Sequence, residues 1–181
     1  MARRLALRVA LSLLLVSGCS ARPETSAPAA AYNAADVMYL QMGLAQIAEG
    51  EPVLALAEER AGEPRLRELV TELRGQWGEE SGTMRRWLLG WQQPLTADPS
   101  AAHDGHGALH ALRPADVAEL RAAADFDRTA VNLLLGHLGN GVETARMGSA
   151  SGSYPPARAL ADSQAQRRQA QIQRLLALAF P

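Results

Sequence analysis

The sequence predicts an all-α protein, an antiparallel four-helix bundle assembled from two repeated helix hairpins. Three observations lead there. Apolar residues recur at three- and four-residue steps along most of residues 34–179. Aromatic residues make up 4% of the chain while alanine and leucine abound, which favours helices packed on helices over a sheet. Sliding the chain against itself by 91 residues pairs Asp36 with Asp127, Leu44 with Leu135 and Gly50 with Gly141. The same shift pairs Pro64 with Pro155, Arg67 with Arg158 and Leu69 with Leu160, without a gap. Both helix stripes and the turn between them superimpose, so the halves read as two copies of one hairpin.

The leader comes first. Arg3, Arg4 and Arg8 flank or precede the apolar run Val9–Val16, and Ser17 and Gly18 stand before Cys19, the single cysteine of the chain. This is the layout of a secretory signal over residues 1–18, far short of the roughly 20 apolar residues of a membrane span. Leu15-Val16-Ser17-Gly18-Cys19 resembles the lipobox of bacterial lipoproteins, which implies lipidation of Cys19. The expectation is an exported protein held by its lipid on the extracytoplasmic face of the bacterial cell membrane. Residues 19–33 then form the lipidated start and a tether: they lack hydrophobic periodicity and contain Pro23 and Pro28. Such a segment reaches about 20 Å.

Residues 34–181 form one bundle domain, its first hairpin spanning 34–91. Asn33 caps a helix whose stripe is Val37, Leu40, Leu44 and Ile47. Gly50-Glu51-Pro52 predicts a kink or restart, with Val53–Arg60 resuming. Gly62-Glu63-Pro64 marks the turn, with Pro64 in the first turn of the next helix. That helix carries the longest stripe: Leu66, Val70, Leu73, Trp77, Glu80, Met84, Trp87 and Trp91, with Glu80 its one carboxylate.

Residues 92–113 read as a loop rich in Pro, Gly and His. The second hairpin spans 114–179. Pro114 opens a short helix to about Ala124, and Asp125 or a neighbour caps a longer one with stripe Val131, Leu135, Leu138, Val142 and Ala145. Gly148–Pro156 reads as a turn. The last helix, about Ala157–Ala179, turns Leu160, Ala161, Ala165, Ile172, Leu175 and Leu176 inward. Its arginines (Arg158, Arg167, Arg168, Arg174) read as a solvated face, and its alanine- and glutamine-rich middle as a surface where a second subunit could dock.

Charge narrows the partners. The chain has no lysine, and without residues 1–18 it keeps 15 arginines against 19 acidic residues, a net charge of −4. A mildly acidic chain is a poor match for nucleic acid.

The segments Asn33–Leu40, Arg60–Leu69, Glu80 with Met84–Leu88, and Phe126-Asp127-Arg128 together resemble the bacterial family called domain of unknown function 305. The resemblance covers about residues 33–179. It implies a ferritin-like helical bundle in an exported protein, from a family with members linked to copper binding and tolerance. It also implies a His-His pair near the middle of the first helix of each hairpin, often with a nearby methionine. Here the first pair falls on Gln46 and Ile47, the second on His137 and Leu138. Ile47 and Leu138 lie on the apolar stripes, where an aliphatic group removes the cost of an unpaired buried imidazole. The expected remnant is a polar layer of Gln46, Glu80, His137 and Gln171.

Two metal candidates follow. The layer offers one imidazole and one carboxylate, with Gln46 and Gln171 as weak extra ligands, a poor set for a transition metal. The alternative reading is a hydrogen-bonded network that fixes helix register, with His137 paired to Glu80. The loop offers His103, Asp104, His106 and His110, enough to wrap one copper, zinc or nickel ion weakly, against the alternative of a solvated loop. Met42 adds a thioether or fills core; Trp77, Trp87 and Trp91 read as core, with Trp91 a contact for a partner.

Catalysis is not expected. No Glu-x-x-His pair of the di-iron kind occurs, no phosphate loop, and the one cysteine is consumed by the anchor. The expected function is a membrane-anchored, non-enzymatic lipoprotein of a copper-binding bundle family whose bundle site is largely lost. The sequence requires no cofactor; copper or another transition metal, held weakly, is the one it leaves open. The rival is a metal-free scaffold that holds a homodimer or an envelope protein partner.

Overall fold

The structure, a computed structural model, describes residues 31–97 and 111–179. The signal, Cys19 and the tether up to residue 30 lie outside the described residues, as do His103, Asp104, His106 and His110. Within the described residues there are five helices and no strand. They are α1 (Ala34–Arg60), α2 (Pro64–Gly90), α3 (Pro114–Ala122), α4 (Phe126–Ser151) and α5 (Pro155–Ala179).

The helix ends follow local chemistry. Asn33 Oδ1 accepts from the Asp36 N–H at 3.0 Å and Asp36 Oδ2 accepts from the Asn33 N–H at 2.8 Å, a reciprocal capping box. Pro64 and Pro114 open α2 and α3, where a missing N–H costs nothing. Asp125 Oδ1 caps α4 by accepting from the Arg128 N–H at 3.1 Å. After α2, Gln92 is left-handed (φ 56°), and the Gln93 N–H reaches back to the Leu88 carbonyl at 2.8 Å.

Two boundary expectations are corrected. α1 runs unbroken through Pro52. The carbonyl that Pro52 cannot serve belongs to Ala48, and both residues are exposed, so water can satisfy it. The turn expected over Gly148–Pro156 shrinks to Gly152–Tyr154, because α4 continues to Ser151 and α5 starts at Pro155. Gly148 is helical and serves packing: an added Cβ would lie 2.5 Å from the Tyr39 ring.

The hairpins pack antiparallel. α1 lies against α2 and α4, and α4 against α5. α2 and α5 meet mainly through long polar side chains. Arg174 donates to Glu72 at 2.5 Å, Gln171 to Gln76 at 2.7 Å and Arg167 to Glu80 at 2.8 Å. α3 closes one end, burying Val117 and Leu120.

The repeat holds in three dimensions. Asp36 Oδ2 accepts from the N–H groups of Ser153 (2.9 Å) and Tyr154 (3.1 Å), the turn of the second hairpin. Asp127, its equivalent, accepts from Gly62 (3.0 Å) and Glu63 (2.7 Å), the turn of the first. Each half therefore ties down the other's turn.

The apolar core falls into two clusters. The larger gathers Val53, Leu54, Leu66, Leu73, Leu134 and Leu138 at the α3 end, with Trp77 at its inner edge. The smaller gathers Tyr39, Leu40, Leu44, Met84, Leu88 and Ala161 at the opposite end. The stripes drift by one residue from expectation. Leu134 is buried where Leu135 was expected, Leu88 where Trp87 was, and Leu160, Ala165, Ile172 and Leu176 are only partly buried. The middle of α5 turns in Gln164, Arg168 and Gln171 instead.

Candidate functional site

A belt of polar side chains crosses the bundle between the two apolar clusters. Gln46, Glu80, His137 and Gln171 are all buried, as expected, and Thr144, Gln164 and Arg168 are buried with them. The four expected residues do not form one network. Gln46 Nε2 donates to Thr144 Oγ1 at 2.7 Å, and Gln171 Nε2 to Gln76 Oε1 at 2.7 Å.

Glu80 is the hub. Its Oε2 accepts from Gln164 Nε2 at 2.6 Å and from an Arg168 Nη at 3.1 Å, while Oε1 accepts from an Arg167 Nη at 2.8 Å. Gln164 Oε1 in turn accepts from the Tyr39 hydroxyl at 2.7 Å. The expected His137–Glu80 pair is therefore not made, because two guanidiniums and an amide already occupy the carboxylate. Reading Arg168 as solvated is likewise corrected: it is 6% exposed, paired to a carboxylate 5% exposed. A buried guanidinium is tolerable only with such a counter-ion. Arg167 stays half-exposed on the α2–α5 seam.

His137 stands apart. Its ring lies 5.5 Å from that of Trp77, tilted by 60°, and its Nδ1 is buried without a partner. Burial, and then the Arg168 charge, push its pKa down to about 4, against a hydrogen bond with the Gln46 backbone. It is a neutral imidazole in neutral solution. Burial likewise lowers Arg168, opposed by Glu80, and raises the Tyr39 phenol.

Two glycines shape the belt. An added Cβ at Gly50 would lie 2.6 Å from the Trp77 ring and 2.7 Å from His137 Nε2. At Gly141, its repeat equivalent, an added Cβ would lie 2.9 Å from Arg168 Cδ and Nε. Trp77 and Arg168 are themselves 91 residues apart, so equivalent notches receive an indole in one half and a guanidinium in the other. The gap among Gln46, Ile47, Trp77, His137, Gly141 and Arg168 is too small for a water molecule.

This donor set does not fit a transition metal. Its uncommitted ligand atoms are His137 Nδ1 and the weakly ligating Gln171 Oε1, Ile47 and Leu138 present hydrocarbon, Gln46 is engaged with Thr144, and a cation stands beside them. Among the described residues no group of three His, Cys, Asp or Glu side chains is placed to hold a metal ion. No helix among them is long and apolar enough to cross a membrane.

Met42 is half-buried on α1. Trp91, expected as a partner contact, is stacked on Tyr32 (centroids 4.1 Å, planes 8° apart) and meets Tyr154 edge-on at 5.2 Å. Sequence reasoning missed Arg168, Gln164, Thr144 and Tyr39 as belt members. The signal for Arg168 was the repeat, which sets it opposite Trp77.

The family model described as domain of unknown function (DUF305) matches residues 29–179. Among solved structures, CopM in the Cu(II)-bound form is similar with a TM-score of 0.70 at 21% identity, over 80% of this chain and 95% of that one. A DUF305 fragment from Deinococcus radiodurans has a TM-score of 0.70 at 20% identity, over 81% and 96%. CopM in the Cu(I)-bound form has a TM-score of 0.66 at 19% identity, over 79% and 94%. At such identities the likeness is one of fold. No curated protein matches the chain significantly.

Proposed function

Because the chain belongs to the domain of unknown function 305 family, we propose that it is an exported, lipid-anchored, non-enzymatic bundle whose centre has given up metal. The observation that carries this reading is the Glu80–Arg168 pair buried beside a lone imidazole, where a metal-binding bundle would gather several donors. Copper enters through CopM, similar in fold and solved in Cu(II) and Cu(I) forms. The metal-related role is then weak binding by His103, Asp104, His106 and His110, or pairing with a relative whose centre is intact. The anchor rests on Cys19 and the leader before it.

The internal pairing of Glu80 with Arg168 and Gln164 favours a second reading, a metal-free envelope scaffold. Metal analysis of a fragment from Ser20 onward, purified without a His tag, separates the two. The first reading expects at most one weak copper or zinc equivalent, lost on deletion of residues 103–110 and kept in His137→Ala. The scaffold reading expects none. Tight stoichiometric copper abolished by His137→Ala would overturn both.

A further inference from the structure

We infer that Arg168 is the specificity-determining residue of the bundle centre, a resident cation that keeps metal ions out even when donors are supplied. The inference deepens the proposed function and rests on it.

Missing donors make a site weak; they do not make it repel. Arg168 does. Its guanidinium lines the same gap as Gln46, Ile47, Trp77 and His137, and it is nearly inaccessible to water. At that depth a charge is poorly screened and acts on any second cation at close range. Burial first, and the Arg168 charge after it, lowers the pKa of His137, the neighbouring group that would otherwise gain a positive charge.

The cation is also held in place. Glu80 pairs with it at 3.1 Å, yet Arg167 shares that carboxylate, so the cluster of Glu80, Arg167 and Arg168 keeps a net positive charge. Of the other titratable groups near the cluster, Tyr39 is a neutral phenol, His137 a neutral imidazole, and Asp162 an exposed carboxylate on the solvent side. Gly141 provides the opening: any larger residue there would meet Arg168 Cδ and Nε. An apolar side chain such as Trp77 serves the equivalent notch, so packing alone did not require an arginine.

The test adds donors and removes the cation separately. Copper(II) bound in excess of the wild-type chain is measured by equilibrium dialysis and metal analysis, with helicity followed by circular dichroism. Ile47→His with Leu138→His should gain little copper, and the same pair with Arg168→Leu, which adds no ligand, at least tenfold tighter binding. Equal binding by the double and triple variants overturns the inference, as does a folded triple variant that binds no better than wild type. Should Arg168→Leu chains lose helicity, Gly141→Ala displaces the guanidinium instead. Added to the two histidines it must raise copper uptake, and no rise again overturns the inference. Tight copper in the wild-type centre, lost with His137→Ala, is a different result: it sinks the proposed function itself.

Discussion

Gly50 sits so close to His137 that a Cβ added to the glycine would fall 2.7 Å from the imidazole Nε2. The Trp77 ring is closer still, at 2.6 Å. Alanine favours helices over glycine by up to about 1 kcal/mol, yet here overpacking outweighs that gain. Gly50→Ala should lower stability by about 1–3 kcal/mol in urea unfolding. Gly78→Ala, with no atom within 4 Å of its added Cβ, should raise it by about 0.5–1 kcal/mol. Similar effects at both positions would contradict the notch.

His137 gives stability a pH dependence of defined sign. Its folded pKa, about 4, lies below the unfolded value near 6.5. Above pH 6.5 neither state holds the proton and the group contributes nothing. As pH falls from 6.5 towards 4 the unfolded chain gains a proton that the folded chain refuses, and stability drops, by about 3 kcal/mol in all. Unfolding of wild type and His137→Leu from pH 8 to 4 should show the difference between them constant above pH 7 and shifting in the variant's favour below 6.5. An NMR titration midpoint above 6 for this ring would contradict the burial argument.

Removing one partner of the central ion pair should hurt more than removing both. Glu80→Met strands the Arg168 guanidinium in the interior and should cost about 3–5 kcal/mol. Glu80→Met with Arg168→Met should cost clearly less than the sum of the single changes, since two thioether side chains pack where two charges had to be desolvated. Thermal or urea unfolding of the four chains completes the cycle, and simple additivity would refute the pairing.

The two clamp aspartates should differ. Asp36 is fully buried and accepts from three backbone N–H groups, those of Asn33, Ser153 and Tyr154. Asp127 is only partly buried, so water can replace it at Gly62 and Glu63. Asp36→Ala should cost about 2–3 kcal/mol and Asp127→Ala about 1 kcal/mol, measured by urea unfolding.

Helix placement was legible because its signals are local. Asn33, Pro64, Pro114 and Asp125 act on backbone groups within one turn, and all four mark helix starts where expected. Burial of Gln46, Glu80, His137 and Gln171 was legible through the repeat and the family pattern. Which partners they choose was not, because that depends on side chains from distant helices. Glu80 lies 88 residues from Arg168, and nothing near Arg168 in sequence distinguishes it from the half-exposed Arg167. Pro52 misled for a related reason: its effect depends on whether Ala48 faces water, which only the packed bundle decides.

The crossed aspartates carry one more consequence. A solitary hairpin would hold an aspartate with no turn to tie and a turn with no aspartate to tie it. Two identical hairpins related by a twofold axis would cure both defects at once, in the manner of a self-complementary dimer. Joining the pair into one polypeptide makes that mutual aid independent of concentration. It also frees the sister halves to diverge, which is how one notch can keep an indole while its twin takes a guanidinium.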